Sequence, residues 1–348
     1  MRNLCRPFVF CALLGAAACG SETPIPPTPT PDAPTLSCPA SASLVSPDGA
    51  AVPLTFTVPT AVGGQLPVPV TCSKASGSTF PLGSTIVTCT AVDALARQAS
   101  CNFAVTVTAV PRISKTKFLA LGDSITEGRC GPKPNTCPPW TVRFGDLLRE
   151  RYTLQSFVVT NRGISGEKTP TGEDRLLEEL ITYKPEVLLL MEGTNDLTAV
   201  PANQAEALES LEDMIDIARG QGVAVFIATI APIAAGGPND DAVPLVPVFN
   251  ANIRGMAARK NVPVVDVFAA LNADIARYYV GDDLHPTAEG LRVIGETFYA
   301  AVRTALDITP TAGSFSSTAT PHGLFEPPGR LSPGLKTRPP KTPKLPGR

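Results

Sequence analysis

From Thr116 to Ile308 the chain alternates short apolar runs with stretches of helical periodicity. The apolar runs cover residues 118–121, 156–160, 187–191, 223–230 and 262–265. Near-continuous apolar character, rather than strict apolar/polar alternation, marks strands covered on both faces. Between these runs, Trp140, Phe144, Leu147 and Leu148 share one helical face, and Leu176, Leu177, Leu180 and Ile181 another. Leu208, Leu211, Ile215 and Ala218 form a third face, which Gly220 and Gly222 stop. Phe249, Ile253 and Met256 mark a fourth. Leu291, Ile294, Phe298 and Val302 mark the last, with Thr287 as its N-cap. Alternating β and α predicts a parallel sheet with right-handed crossovers and helices on both faces. About 190 residues are enough for one such core.

Open α/β sheets bind ligands beyond the C-terminal ends of their strands. Four stretches fall at strand ends or just before helices: Gly122-Asp-Ser124, Asn161-Arg-Gly163, Gly193-Thr-Asn-Asp196 and Asp282-Asp-Leu-His285. Taken alone, Gly-Asp-Ser is also an ordinary helix-starting turn. Together the four supply what serine-based ester hydrolysis needs. A hydroxyl is a weak nucleophile and requires a base, the base an orienting partner, and the developing oxyanion preorganised donors. Ser124 is the candidate nucleophile. Histidine occurs only at positions 285 and 322, and His322 lies in a Pro-rich tail, so His285 is the candidate base. Asp282, three residues earlier, is placed to hold the imidazole tautomer. The amides of Ser124 and Gly163 and the side chain of Asn195 are candidate oxyanion donors. Asp123 reads as a turn residue, Glu192 and Asp196 as structural, and Trp140 as core. The three-residue spacing to histidine favours Asp282 over Asp283.

The four blocks, in this order, resemble the SGNH/GDSL hydrolase family. The resemblance is to its arylesterase/thioesterase/lysophospholipase I-like branch. It implies a flavodoxin-like three-layer α/β fold with a five-stranded parallel sheet, a Ser124–His285–Asp282 triad and an oxyanion hole of Ser124, Gly163 and Asn195. It implies no metal and no organic cofactor. The α/β-hydrolase elbow G-x-S-x-G is absent from the sequence.

Residues 37–110 are different in kind: β-branched runs at 54–58, 68–72, 84–90 and 103–108, separated by Gly/Pro/Ser turns, predict a small immunoglobulin-like sandwich. Val70-Thr-Cys72, Ser76-Gly-Ser-Thr-Phe-Pro-Leu-Gly83, Val87-Thr-Cys-Thr-Ala91 and the run from Ser100 to Val107 resemble the hyalin repeat (HYR) family. That resemblance implies spacing or adhesion, with a glycan or protein surface as contact, rather than catalysis. In such a sandwich Cys72 and Cys89 fall on neighbouring inner runs, and Cys38 near the first strand faces Cys101 on the last. The expected disulfides are Cys72–Cys89, Cys38–Cys101 and Cys130–Cys137, the last closing a loop just after the nucleophile.

Residues 1–18 read as a signal peptide, with Arg2 and Arg6 ahead of a short apolar run. Ala16-Ala-Ala-Cys19 resembles a bacterial lipobox and implies a membrane anchor through lipidated Cys19; ordinary signal-peptidase cleavage near the same run is the alternative. Either route exports the chain to the cell envelope or beyond, where disulfides persist. Residues 19–36 form a Pro-rich spacer, 113–308 the hydrolase domain and 309–348 a disordered Pro-rich tail. The formal net charge of −2 excludes a charge-driven nucleic-acid partner. The expected function is hydrolysis of small esters, with short or medium acyl or lysophospholipid-type esters ahead of acetylated carbohydrates. An adhesion lipoprotein with a degenerate hydrolase domain is the alternative of another class, and an acyltransferase using the same triad a third reading.

Overall fold

The computed structural model describes residues 29–131 and 135–311. The expected leader, Cys19, most of the Pro-rich spacer and the tail from residue 312 lie outside the described residues. None of the helices within the described residues is long and apolar enough to cross a membrane.

The N-terminal β region is built on a four-stranded sheet in the order Ala42–Ser46, Gln98–Ala109, Gly83–Val92, Val70–Cys72. Two short pairs, Thr35–Leu36 with Ala61–Val62 and Val52–Pro53 with Thr79–Phe80, complete it. Phe80, Val87, Phe103, Val105 and Val107 form its core. Cys38 is bonded to Cys101, Cys72 to Cys89 and Cys130 to Cys137. The run at 54–58 departs from the expected strand. The Phe56 side chain packs on the core, but its N–H and C=O are both taken by the Ser76 hydroxyl, at 2.9 and 2.6 Å. A side chain that satisfies both backbone groups replaces the ladder a neighbouring strand would supply.

The α/β region carries five parallel strands: β1 (Lys117–Gly122), β2 (Val158–Gly163), β3 (Val187–Met191), β4 (Ala224–Ala228) and β5 (Val264–Val265). Their order across the sheet is β2-β1-β3-β4-β5. The topological switch point therefore lies between β1 and β3, where open α/β sheets bind ligands. The register aligns the C-terminal ends: Gly122 pairs with Gly163 on one side and Met191 on the other. The loops that follow these three strands thus start side by side.

Successive residues of each strand face opposite layers, and both layers are apolar. Leu119, Leu121, Leu188, Leu190 and Ile227 face one cluster. It is completed by α2 (Thr169–Tyr183), α3 (Pro201–Gly220) and α4 (Leu245–Lys260). Phe118, Ala120, Leu189 and Phe226 face the other, with α1 (Trp140–Arg151) and α5 (Ala288–Leu306). Trp140 belongs to this core, fully buried and stacked on Phe298 at 4.3 Å. Thr287 caps α5 by accepting the Gly290 N–H at 3.2 Å. Helix α2 buries a narrower stripe than its sequence indicates. Leu176 and Leu180 are buried, but Leu177 and Ile181 are 45% and 60% exposed. One residue's advance turns a side chain by about 100°, which carries both out of the Leu176/Leu180 row.

Candidate active site

Ser124 opens a one-turn helix, Ser124–Glu127, directly after β1. Asp123 caps that turn, its carboxylate accepting the Ile125 N–H at 2.9 Å. The Ser124 N–H heads the helix, where the first N–H groups lack intrahelical partners. Ser124 Oγ lies 3.0 Å from His285 Nε2, and His285 Nδ1 lies 2.9 Å from Asp282 Oδ2. With the ring proton on Nδ1 donating to Asp282, Nε2 is left to accept the serine hydroxyl proton. The other Asp282 oxygen accepts the backbone N–H groups of Leu284 and His285, at 2.7 and 3.0 Å. Burial raises the Asp282 carboxyl, but the bonds from the His285 ring and these two amides outweigh it and hold the group below its ordinary value. The structure thus joins Ser124, His285 and Asp282 in one line of hydrogen bonds although 161 residues separate the first two.

Asn195 sits in the turn Thr194–Asp196 after β3. Its Nδ2 donates to the Glu167 carbonyl at 2.8 Å, which leaves one amide hydrogen for another acceptor. The Glu167 carboxylate is gripped by Arg175, whose guanidinium also donates to the Arg162 carbonyl at 2.7 Å. The tether of Asn195 is therefore itself braced.

Gly163 departs from the role read in the sequence. Its N–H donates to Asn161 Oδ1 at 2.9 Å, so it is already engaged. A Cβ at this position would run into the backbone of Thr126 and Glu127. Gly163 is a close-approach residue that lets β2 pack on the nucleophile's helix. Gly166, three residues on, is exposed at the corner of the turn closed by Glu167 N–H to Ile164 O, 3.2 Å. Its N–H makes no hydrogen bond among the described residues, and it precedes the residue whose carbonyl holds Asn195. It is therefore a second candidate amide that the sequence reading did not name, since two glycines lie within Asn161-Arg-Gly-Ile-Ser-Gly166. An exposed glycine in the open turn was the available signal.

Three buried groups surround this line. Asp196 accepts the first N–H of α2, from Thr169 at 3.1 Å, a structural use. Glu192 is 1% exposed, and neither carboxyl oxygen has a partner among the described residues. Burial, then repulsion from Asp123 and Glu167, pushes it well above the usual carboxyl range. Burial also raises Asp123 from 3.8 to about 6, against bonds from Ile125 and Thr194 that lower it.

The Asp123 shift has a measurable consequence. Between pH 3.8 and about 6 the folded chain keeps a proton that the unfolded chain has lost. Stability must therefore fall as pH rises through that window, with the full penalty present above it. A rise of about two pH units corresponds to about 3 kcal/mol. Asp123→Asn keeps the cap acceptor and cannot ionise. Its stability relative to the parent chain should increase by about 3 kcal/mol between about pH 4 and about pH 7, read by urea unfolding. Parallel pH profiles for the two chains would contradict this.

The family model described as GDSL-like lipase/acylhydrolase matches residues 120–293, half of the chain, and the HYR domain model matches residues 30–107. No curated protein matches the chain. Among solved structures, it is similar to a lipase/acylhydrolase from Enterococcus faecalis, at 21% identity over 55% of this chain and 97% of that one, TM-score 0.48. It is also similar to an acetylxylan esterase from Geobacillus stearothermophilus, at 20% identity over 55% and 94%, TM-score 0.47. A third is a GDSL-like lipase from Bacteroides thetaiotaomicron, at 24% identity over 54% and 88%, TM-score 0.42. Because the first family model spans all four strand-end loops, the chain belongs to the GDSL-like lipase/acylhydrolase family, an ester-bond hydrolase with an HYR domain ahead of its α/β region.

Proposed function

We propose that the protein is an exported serine esterase in which Ser124, His285 and Asp282 act as a catalytic triad. The observation that carries this reading is the unbroken line Ser124–His285–Asp282 at the C-terminal edge of the sheet. Ser124 Oγ attacks the ester carbonyl carbon while Nε2 of His285 takes its proton. The carbonyl oxygen becomes an oxyanion held by the N–H groups of Ser124 and Gly166 and by the Asn195 side-chain amide. Collapse breaks the bond to the alcohol oxygen, which leaves with the proton from Nε2. Water then attacks the acyl-enzyme by the same proton path and releases the acid. Asp282 stays ionised throughout and stabilises the imidazolium. The complete set of groups speaks against a degenerate hydrolase domain.

The three disulfides support export, since such bonds persist in oxidising compartments. We place the HYR domain at 37–110 and the hydrolase domain at 113–308, behind a signal peptide and a lipid anchor at Cys19. In this reading the HYR domain holds the enzyme against a surface at the envelope. The loop 231–238, Ala-Pro-Ile-Ala-Ala-Gly-Gly-Pro, offers small walls and no aromatic platform for sugar rings. That composition favours simple acyl or aryl esters, including lysophospholipid-type esters, over acetylated glycans.

One experiment tests both levels. A fluorophosphonate should modify Ser124, seen by peptide mass spectrometry, and modification should abolish turnover. The unmodified chain should hydrolyse short-chain aryl esters with higher kcat/KM than it deacetylates xylan. Modification elsewhere with Ser124 untouched would reject the mechanism. The reverse substrate ranking would reject only the substrate class and select the carbohydrate O-acetylesterase.

A further inference from the structure

A cavity of about 680 Å³ lies against His285. One wall is the loop 234–239, and the other is formed by Tyr279 and residues 281–285. Ser124, Gly166 and Asn195 are not among its lining residues. The cavity therefore flanks the imidazole and not the oxyanion donors. That placement matters because the two halves of an ester depart in different directions. The carbonyl oxygen must point to the donors around Asn195. The alcohol oxygen must lie within hydrogen-bond reach of Nε2, which returns the proton to it. The alcohol half of the substrate thus extends on the side of His285.

We propose that this cavity is the leaving-alcohol subsite and that Asp283 is the positioning residue that sets its size. The proposal rests on the roles assigned above to Ser124 and His285. Asp283 neighbours the residue that orients the base, yet its own bonds all run to the opposite wall. Its carboxylate accepts the Asn239 N–H at 2.8 Å and the Asn239 side-chain amide at 3.1 Å. Its backbone carbonyl accepts the Ala234 N–H at 2.8 Å. Gly237 lies so close that a Cβ there would run into the Asp283 carboxylate. Asp240 finishes the stitching by accepting the N–H groups of Gly236 and Gly237, at 2.6 and 3.1 Å. One residue therefore latches both ends of the loop to the segment that carries the base, its carboxylate holding Asn239 and its backbone carbonyl holding Ala234. Charge-assisted bonds of this kind, here half-buried, fix geometry, and the loop's own residues are too small to brace it by packing.

The test uses the full chain and two ester series. In one, acetates carry alcohols of growing size, methyl, phenyl and naphthyl. In the other, p-nitrophenyl esters carry acyl groups from acetyl to octanoyl. kcat/KM reports the steps through acylation, in which the alcohol departs. Releasing the latch should enlarge the alcohol side alone. In Asp283→Ala the naphthyl-to-phenyl ratio of kcat/KM should rise about tenfold, while the octanoyl-to-acetyl ratio stays within about twofold of the parent. Asn239→Ala removes the side-chain amide bonds while keeping the Asn239 N–H bond, and should shift the same ratio in the same direction by less, which keeps the test valid if Asp283→Ala folds poorly. A merely structural residue would lower both series alike, and that result, or an unchanged alcohol ratio with Ser124 still labelled by fluorophosphonate, overturns this proposal alone. Failure of the parent chain to label at Ser124 overturns the site reading and this proposal with it.

Discussion

Ser124→Ala and His285→Ala are each expected to lower kcat on a short aryl ester by about 10⁴–10⁶-fold, and the double variant scarcely further. The reason is that the two groups perform one act. Without the imidazole at 3.0 Å the serine proton has nowhere to go, and without the hydroxyl the imidazole has nothing to activate. The described part of the chain holds His285 and no second histidine, so no neighbouring ring can substitute. A residual rate above that of water should survive in all three variants, because the oxyanion donors remain. The measurement is kcat for each folded variant, with far-ultraviolet circular dichroism as the check on folding. Single effects that multiply in the double variant, or near-parent turnover in Ser124→Ala, would remove this mechanism.

Asn195→Ala is expected to lower kcat by about 10²–10³-fold and to leave KM within a few-fold. In the proposed mechanism its second amide hydrogen meets an acceptor whose charge develops only in the transition state. Truncation should therefore cost rate rather than ground-state binding. The tether to the Glu167 carbonyl at 2.8 Å is what makes the donor preorganised, since it fixes the amide before substrate arrives. Asn195→Asp should be at least as damaging: a carboxylate has no N–H to give and would face both the Glu167 carbonyl and the oxyanion. A rise in KM with kcat unchanged would show that Asn195 serves binding and not the oxyanion.

Much of this arrangement is legible before any coordinates. Strands buried on both faces must be apolar throughout, so Val187–Met191 announces itself as a central strand. A sheet of that kind brings the loops at the ends of β1 and β3 together, and so joins Ser124 with Asn195. The scarcity of histidine leaves His285 as the candidate base almost by elimination. Periodicity likewise identified the buried rows of α1, α4 and α5, including Phe144, Phe249 and Phe298. These inferences hold because they depend on local chemistry and on a period that the chain itself carries.

Other features depend on which atoms meet across long separations. Gly163 and Gly166 are equivalent as letters. Only the packing of β2 on the nucleophile's helix turns one amide toward Asn161 and leaves the other open. Residues 54–58 have a strand's composition, but the Ser76 hydroxyl captures the Phe56 backbone groups that a neighbouring strand would pair. Asp283 looked like a spare neighbour of Asp282 until its bonds to Asn239, 44 positions away, became visible. The high position of Asp123 on the pH scale arises from burial, and burial is a property of the assembled core. The residues in order were enough for the layered α/β architecture and for the candidates as nucleophile, base and side-chain donor, because periodicity and residue chemistry are local. Only the folded chain shows which glycine amide is already bonded, which carboxyls burial raises and which loop forms the wall beside His285, because those depend on close packing and desolvation between distant segments.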